Sequence, residues 1–142
     1  MTPSQNLSDP PDAADACAAS TFFRLDPRPD GVTLLTLNRP AQLNTMTPQF
    51  FPALRDAVQR LQAEGRTRVL VIASTGKHFS AGMALDVFAS DLSLLDTTDA
   101  RRRLAFQAGL RQLMACFEVL EQAHFPVIAA IQGGCLGGAL DL

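Results

Sequence analysis

The chain has 142 residues, 47% of them apolar, so it is long enough to bury a hydrophobic core as a single domain. Its net charge of −2 excludes a strongly basic nucleic-acid-binding protein, because no excess of Lys and Arg is available to neutralise phosphates. No run approaches the roughly 18 consecutive apolar residues of a membrane-spanning helix. Its three cysteines offer no disulfide framework, and we therefore predict a reducing compartment, the cytoplasm.

Residues 1–21 differ in composition from the rest of the chain. They contain Asp9, Asp12 and Asp15 but no Lys or Arg, and they are rich in Pro, Ser and Ala without a hydrophobic period. Segments of this kind do not bury enough apolar surface to fold. They also lack the features of a signal peptide or a mitochondrial transit peptide. We predict a disordered leader over residues 1–21 and a folded domain over residues 22–142.

The first folded elements are predicted to be a β-hairpin and a helix. Residues 22–25 and 32–37 are β-type runs separated by proline and Asp-Gly turn residues. The following apolar residues repeat at helical spacing: Phe51, Leu54, Val58 and Leu61. Thr47-Pro48 favours a helix start at that point, whereas Pro52 favours a start two or three residues later, and Gly65 favours the end.

The second half of the domain alternates strands and helices. Residues 68–73 and 127–131 are continuous apolar runs, typical of strands buried on both faces of a parallel sheet. A helix is predicted over about residues 99–122, because its apolar residues share one stripe: Phe106, Leu110, Leu113, Met114, Phe117 and Leu120. A last helix is predicted after the glycine-rich residues 133–138. This order predicts an α/β layered fold with βαβ crossovers.

Two turns that contain glycine, residues 79–83 and residues 133–138, are the features best suited to chemistry. Each follows a predicted strand, so unpaired backbone N–H groups of both turns could converge on one negatively charged oxygen. The alternative is that they only connect elements. Dinucleotide and P-loop glycine spacings do not match, and Ser80 lacks the preceding glycine of a nucleophile elbow. The His and Cys residues show no metal-ligand spacing, so no metal site is predicted.

Five segments give the sequence a resemblance to the crotonase superfamily, the enoyl-CoA hydratases and isomerases that act on acyl-coenzyme A thioesters. They occur in the family's order from about residue 22 to the end: Leu37–Pro40, Leu43–Met46, Arg68–Ile72, Gly76–Gly82 and Pro126–Gly133. The resemblance implies a crotonase-like layered fold of repeated β-β-α units. Because the chain stops inside its last predicted helix, we expect it to be truncated after the second glycine-rich turn.

The resemblance also implies a mechanism. Backbone N–H groups of Met83 and Gly138 would bind the thioester oxygen and stabilise an enolate, as an oxyanion hole does. Asp141 matches a position where hydratases carry a catalytic glutamate, and the aspartate looks more like dienoyl-CoA isomerases. Its alternative role is to complement the N-terminus of the last helix. Coenzyme A binding is implied for Arg39, Leu43, Lys77, Ser80 and Ala81, although the residues themselves favour a solvated surface position for Lys77.

Two departures and one gap limit what the resemblance implies. Ala84 stands where the family usually has aspartate, and Ala139 replaces a third glycine. The family's second acid/base residue would lie beyond Leu142, so we expect the 142 residues alone to bind coenzyme A weakly without turnover.

Hydratase and isomerase activity both stay open. The alternative is a non-catalytic acyl-CoA-binding or interaction module. We expect no cofactor apart from the coenzyme A of the substrate, and no nucleic-acid or membrane partner. For the full-length protein, the resemblance implies a homo-oligomer, a trimer or hexamer.

Overall fold

The structure is a computed structural model that describes residues 20–86 and 97–142, so most of the predicted leader lies outside the described residues. Its strands form one sheet in chain order: β1 (Phe23–Pro27), β2 (Val32–Leu37), β3 (Val69–Ser74) and β4 (Val127–Ala129). The helices whose bounds lie within these residues are α1 (Phe50–Glu64), α2 (Ala100–Glu121) and the short 3-10 helices Pro40–Gln42 and Gly137–Asp141. None of the described helices is long and apolar enough to cross a membrane.

The strand pairing confirms the predicted hairpin and the parallel crossovers. β1 pairs antiparallel with β2, and the turn between them is closed by Asp30, whose carboxylate accepts a hydrogen bond from the N–H of Val32. β2 pairs with β3, and β3 with β4, in parallel. Parallel neighbours require a crossover, and α1 lies between β2 and β3 in the chain. The carboxyl ends of β2, β3 and β4 therefore lie at one edge of the sheet.

Helix α1 buries the apolar face that the sequence predicts. The four residues of its predicted stripe are all buried: Phe51, Leu54, Val58 and Leu61. The helix begins at Phe50, three residues after Thr47, so Pro52 lies in the first turn, where a missing N–H costs no intrahelical bond. It ends at Gly65, whose φ of 66° is left-handed. Phe50 packs edge to face against Phe23 of β1, with ring centres 6.1 Å apart.

The predicted burial of the two apolar strands on both faces was wrong. In β3 only Leu70 and Ile72 are fully buried, because side chains alternate between the two faces of the sheet. β4 ends at Ala129, and Ile128 and Ile131 are 53% and 55% exposed. The reason is position: β4 is the edge strand of the described sheet, and no described element covers that face of it.

Helix α2 confirms its predicted bounds but not its whole apolar stripe. Asp99 caps the helix by accepting a hydrogen bond from the N–H of Arg102 at 2.9 Å. Its buried residues lie in the last turns, whereas Leu110 and Met114 are 46% and 53% exposed. The segment predicted as a last α-helix forms the 3-10 helix Gly137–Asp141 instead.

Candidate active site

The two glycine-containing turns lie side by side at the carboxyl ends of β3 and β4. We call residues 79–83 the first glycine turn and residues 133–138 the second. The N–H of Phe79 donates to the carbonyl of Gly134 at 2.9 Å, and the N–H of Leu136 donates to the carbonyl of Ser80 at 3.1 Å. The topology thus brings together segments that are more than 50 residues apart in the chain.

The turns approach each other most closely at Gly82. A Cβ at this residue would lie 2.5 Å from the carbonyl oxygen of Leu136 and 3.3 Å from the nitrogen of Gly138. Gly82 also has a φ of 83°, which side chains rarely adopt. On the other side, a Cβ at Gly138 would lie 3.5 Å from Cγ of Met83. Met83 and Gly138, the predicted oxyanion donors, are therefore neighbours.

The backbone N–H groups of Met83 and Gly138 have no acceptor within residues 20–86 and 97–142. Met83 forms a parallel bridge with Met46, in which the hydrogen bonds are made by the residues on either side of Met83. Its own N–H therefore points away from Met46. Gly138 lies in the first turn of a 3-10 helix, where N–H groups lack intrahelical partners.

Met83 and Gly138 line a cavity of about 730 Å³ together with Asp141. Most of the lining side chains are apolar, and Glu118 and Glu121 of α2 add two further carboxylates. The sequence analysis missed these glutamates, because they flank the apolar stripe of α2 and only the placement of the helix brings them to this cavity. Hydrogen-bond donors and carboxylates on one apolar cavity can bind an oxyanion and move a proton.

A second cavity, of about 630 Å³, adjoins the first and is still more apolar. The two share the lining residues Phe51, Met83, Leu110 and Leu113. Cys116 lines the second cavity, and burial raises the pKa of its thiol, which keeps it protonated and a poor nucleophile at neutral pH. Among the described residues, no three His, Cys, Asp or Glu side chains form a metal-binding group.

The residues predicted to bind coenzyme A lie along the loop after β2 and the first glycine turn. The N–H of Ala81 donates to the carbonyl of Leu43 at 3.0 Å, which joins the two segments. The guanidinium of Arg39 lies over the ring of Phe22, 5.3 Å from its centre, and Lys77 is exposed. The side chain of Ser80 is fully buried, so it holds the loop and does not face solvent.

Asn44 connects the loop after β2 to the first glycine turn by hydrogen bonds, and the sequence analysis did not single it out as a site residue. It is buried with a left-handed φ of 52°, a conformation that asparagine tolerates better than most residues. Its side-chain amide donates to the carbonyls of Thr75 and Phe79 at 2.9 and 3.1 Å. Its Oδ1 accepts from the N–H of Arg39 at 2.8 Å. The sequence carried two signals for it, the left-handed preference of asparagine and its place in the Leu43–Met46 segment of the resemblance.

The hydroxyl of Ser80 links the same loop to Gly82, and its removal tests that link. It donates to the carbonyl of Asn44 at 2.8 Å and accepts from the N–H of Gly82 at 3.1 Å. Ser80→Ala leaves these buried groups unsatisfied, so we expect the free energy of unfolding to fall by about 1–3 kcal/mol. Denaturant titration measures the loss, and Thr21→Ala, at an exposed residue, is the control. Equal unfolding free energies for the two variants would contradict this role.

Comparisons with known proteins identify the family of the chain. The family model described as enoyl-CoA hydratase/isomerase matches residues 27–142. The mitochondrial Delta(3,5)-Delta(2,4)-dienoyl-CoA isomerase of Mus musculus is 37% identical over 107 residues, which are 75% of this chain and 33% of the relative. The peroxisomal enzyme of the same name from Arabidopsis thaliana is 33% identical, over 76% of this chain and 40% of the relative. The chain therefore spans less than half the length of these relatives.

Solved structures show the same fold. The enoyl-CoA hydratase of Mycobacterium smegmatis superimposes with a TM-score of 0.63 at 25% identity, covering 80% of this chain and 41% of that one. An enoyl-CoA hydratase/isomerase from Marinobacter aquaeolei gives a TM-score of 0.72 at 22% identity, over 85% and 45% of the two chains, a likeness of fold alone. With the family model matching most of its length, the chain belongs to the enoyl-CoA hydratase/isomerase family and has part of the crotonase fold.

Proposed function

We propose that this chain binds an unsaturated acyl-CoA thioester and stabilises its enolate through the N–H groups of Met83 and Gly138. One observation supports the proposal: Met83 and Gly138 are neighbours where the glycine turns touch, the N–H of neither has an acceptor among the described residues, and both residues line the cavity that Asp141 lines. Fixed donors aimed at developing charge are effective because they need no reorganisation, and one such donor contributes about 2.7–4 kcal/mol where it has been measured.

Asp141 has the role of general base in this proposal. Its carboxylate takes a proton from the carbon next to the thioester carbonyl, and the electron pair of the broken C–H bond moves to the carbonyl oxygen as an enolate. Return of a proton to a different carbon completes an isomerisation. Addition of water to the conjugated thioester is the hydratase alternative. Aspartate at this position and the dienoyl-CoA isomerase relatives favour isomerase activity.

The two cavities suggest how the rest of the substrate lies. The second cavity is lined mainly by apolar side chains and continues from Met83, so an acyl chain fits there. The coenzyme A moiety would lie along Arg39, Leu43, Lys77 and Ala81, and the reaction would need no other cofactor. No nucleic-acid or membrane partner enters this scheme.

Assembly and location complete the proposal. The full-length protein would form a trimer or hexamer, which would cover exposed apolar residues such as Ile128. We propose a cytoplasmic location; the relatives named above are mitochondrial and peroxisomal proteins.

Deuterium exchange tests the proposal on the 142-residue chain, because exchange needs one base whereas isomerisation needs a proton delivered to a second carbon. We expect 3,5-dienoyl-CoA in D₂O to incorporate deuterium at the carbon next to the carbonyl faster with the chain present than without it. Asp141→Asn is expected to slow this exchange by about 10²–10⁴-fold, because it removes the base. Mass spectrometry measures the incorporation. Asp26→Asn is the control, since this exposed carboxylate lines neither cavity.

The same assay separates the two candidate functions. One outcome is that the wild-type chain binds the thioester but exchanges deuterium no faster than Asp141→Asn does. That result would contradict enolate formation and favour a non-catalytic acyl-CoA-binding module. The chain spans only 33% and 40% of the two relatives, and this observation favours the second function.

A further inference from the structure

We infer that His78 is a positioning residue that holds the second glycine turn at the distance the oxyanion donors require. The inference rests on the function proposed above. Nδ1 of His78 accepts a hydrogen bond from the N–H of Gly134 at 2.9 Å. Within the described residues, the other hydrogen bonds between residues 78–83 and the second glycine turn join main-chain atoms. His78 therefore makes the one contact of this set that a side-chain substitution removes.

The second glycine turn lies close to the imidazole ring and to the main chain beside it. A Cβ at Gly134 would lie 3.2 Å from Nδ1, and one at Gly133 would lie 2.9 Å from Nδ1 and 2.2 Å from the carbonyl oxygen of Lys77. Gly133 also has a φ of 60°, which favours glycine. The two glycines leave the space that the half-buried ring occupies. The imidazole is the nearest neighbour of Gly134, whereas Gly133 is also required by its φ and by the carbonyl of Lys77.

The hydrogen bond fixes the tautomer of the ring. Nδ1 accepts a hydrogen bond only as the unprotonated nitrogen of neutral imidazole, so the ring proton is on Nε2. Gly134 is then held from both sides, because its carbonyl accepts from the N–H groups of Phe79 and Ser80. Four residues later the same turn places Gly138 against Gly82. Losing the bond to His78 frees one side of Gly134 and lets the turn move relative to Met83.

Nitrogen-15 NMR of the labelled 142-residue chain tests the geometry without a substrate. We expect a protonated Nε2, an unprotonated Nδ1, and a scalar coupling between Nδ1 and the amide of Gly134. A proton on Nδ1 in the neutral ring would overturn the inference. This result does not depend on any activity of the protein.

Two substitutions separate positioning from packing. His78→Leu keeps an apolar side chain without an acceptor, whereas His78→Asn offers a carbonyl oxygen close to the position of Nδ1. We expect His78→Leu to raise the exchange rate of the Gly134 amide by about tenfold, the effect of losing one hydrogen bond, and His78→Asn to restore protection. Equal protection in both variants would overturn the inference. If His78→Leu does not fold, the coupling between Nδ1 and the Gly134 amide in the wild type decides, and its absence overturns the inference.

A spectroscopic probe connects the turn to the donors. A cinnamoyl-CoA thioester absorbs at longer wavelength when its carbonyl oxygen accepts strong hydrogen bonds. We expect the shift in the wild-type chain, a smaller shift in His78→Leu, and recovery in His78→Asn. An unchanged shift in His78→Leu would overturn the positioning role while leaving the proposed function standing. No shift in the wild type would overturn the proposed function, and the NMR result would still decide the His78 geometry.

Discussion

Gly138→Pro is expected to slow deuterium exchange into bound 3,5-dienoyl-CoA by about 10²–10³-fold, the effect of removing one oxyanion donor. Proline has no backbone N–H, so the substitution deletes the donor without placing a polar or charged group in the cavity. The N–H of Gly138 has no acceptor in residues 20–86 and 97–142, so its loss breaks no described hydrogen bond of the fold. The exchange assay with Asp141→Asn as reference measures the effect.

Gly138→Ala is the matched control for the proline variant. It keeps the N–H, and its Cβ would lie 3.5 Å from Cγ of Met83, an ordinary van der Waals distance. The backbone of Gly138 is also outside the left-handed region, so alanine is not strained there. We expect Gly138→Ala to retain exchange and circular dichroism to show both variants folded. Equal exchange in folded alanine and proline variants would contradict the role of this N–H.

Gly82→Ala is expected to give the second large effect, on stability. The left-handed φ of 83° costs a side chain about 1–2 kcal/mol, and the new Cβ would lie 2.5 Å from the carbonyl oxygen of Leu136, an overlap that costs about 1–3 kcal/mol more. The chain relieves the overlap only by moving the second glycine turn away. Urea titration measures the fall in the free energy of unfolding.

Gly65→Ala isolates the two contributions to that effect. Gly65 has a φ of 66°, yet a Cβ there would meet no atom within 4 Å. It therefore carries the backbone strain without the overlap, and we expect its free energy of unfolding to fall less than that of Gly82→Ala. The overlap also predicts slower deuterium exchange in folded Gly82→Ala but not in Gly65→Ala. Equal losses of stability and activity in the two variants would contradict close contact between the turns.

The secondary structure was predictable because its signals are local. The turn residues before Val32 specify the hairpin, and the spacing of Leu54, Val58 and Leu61 specifies α1 whatever the rest of the chain does. Burial was less predictable because it depends on neighbours. The apolar run at β4 has the composition of a central strand, yet Ile128 is 53% exposed at the edge of the described sheet.

Parallel topology and the family resemblance were enough to predict which turns form the site. Parallel strands bring their carboxyl ends to one edge, so two glycine turns after β3 and β4 have to meet there. The side chains that connect these segments by hydrogen bonds were not predictable. Asn44 contacts the carbonyl of Phe79, 35 residues away, and His78 contacts Gly134, 56 residues away. A single sequence carries no pattern that pairs such distant polar residues.

The backbone and the side chain of Met83 have different roles. Its N–H lies at the contact of the glycine turns, whereas its side chain lines both cavities. On the proposed function, every amino acid except proline supplies the same amide at this position. Substrate choice can therefore drift, or be redesigned, at residue 83 while the electrostatic machinery stays intact. A catalytic group carried by a side chain would not tolerate such freedom.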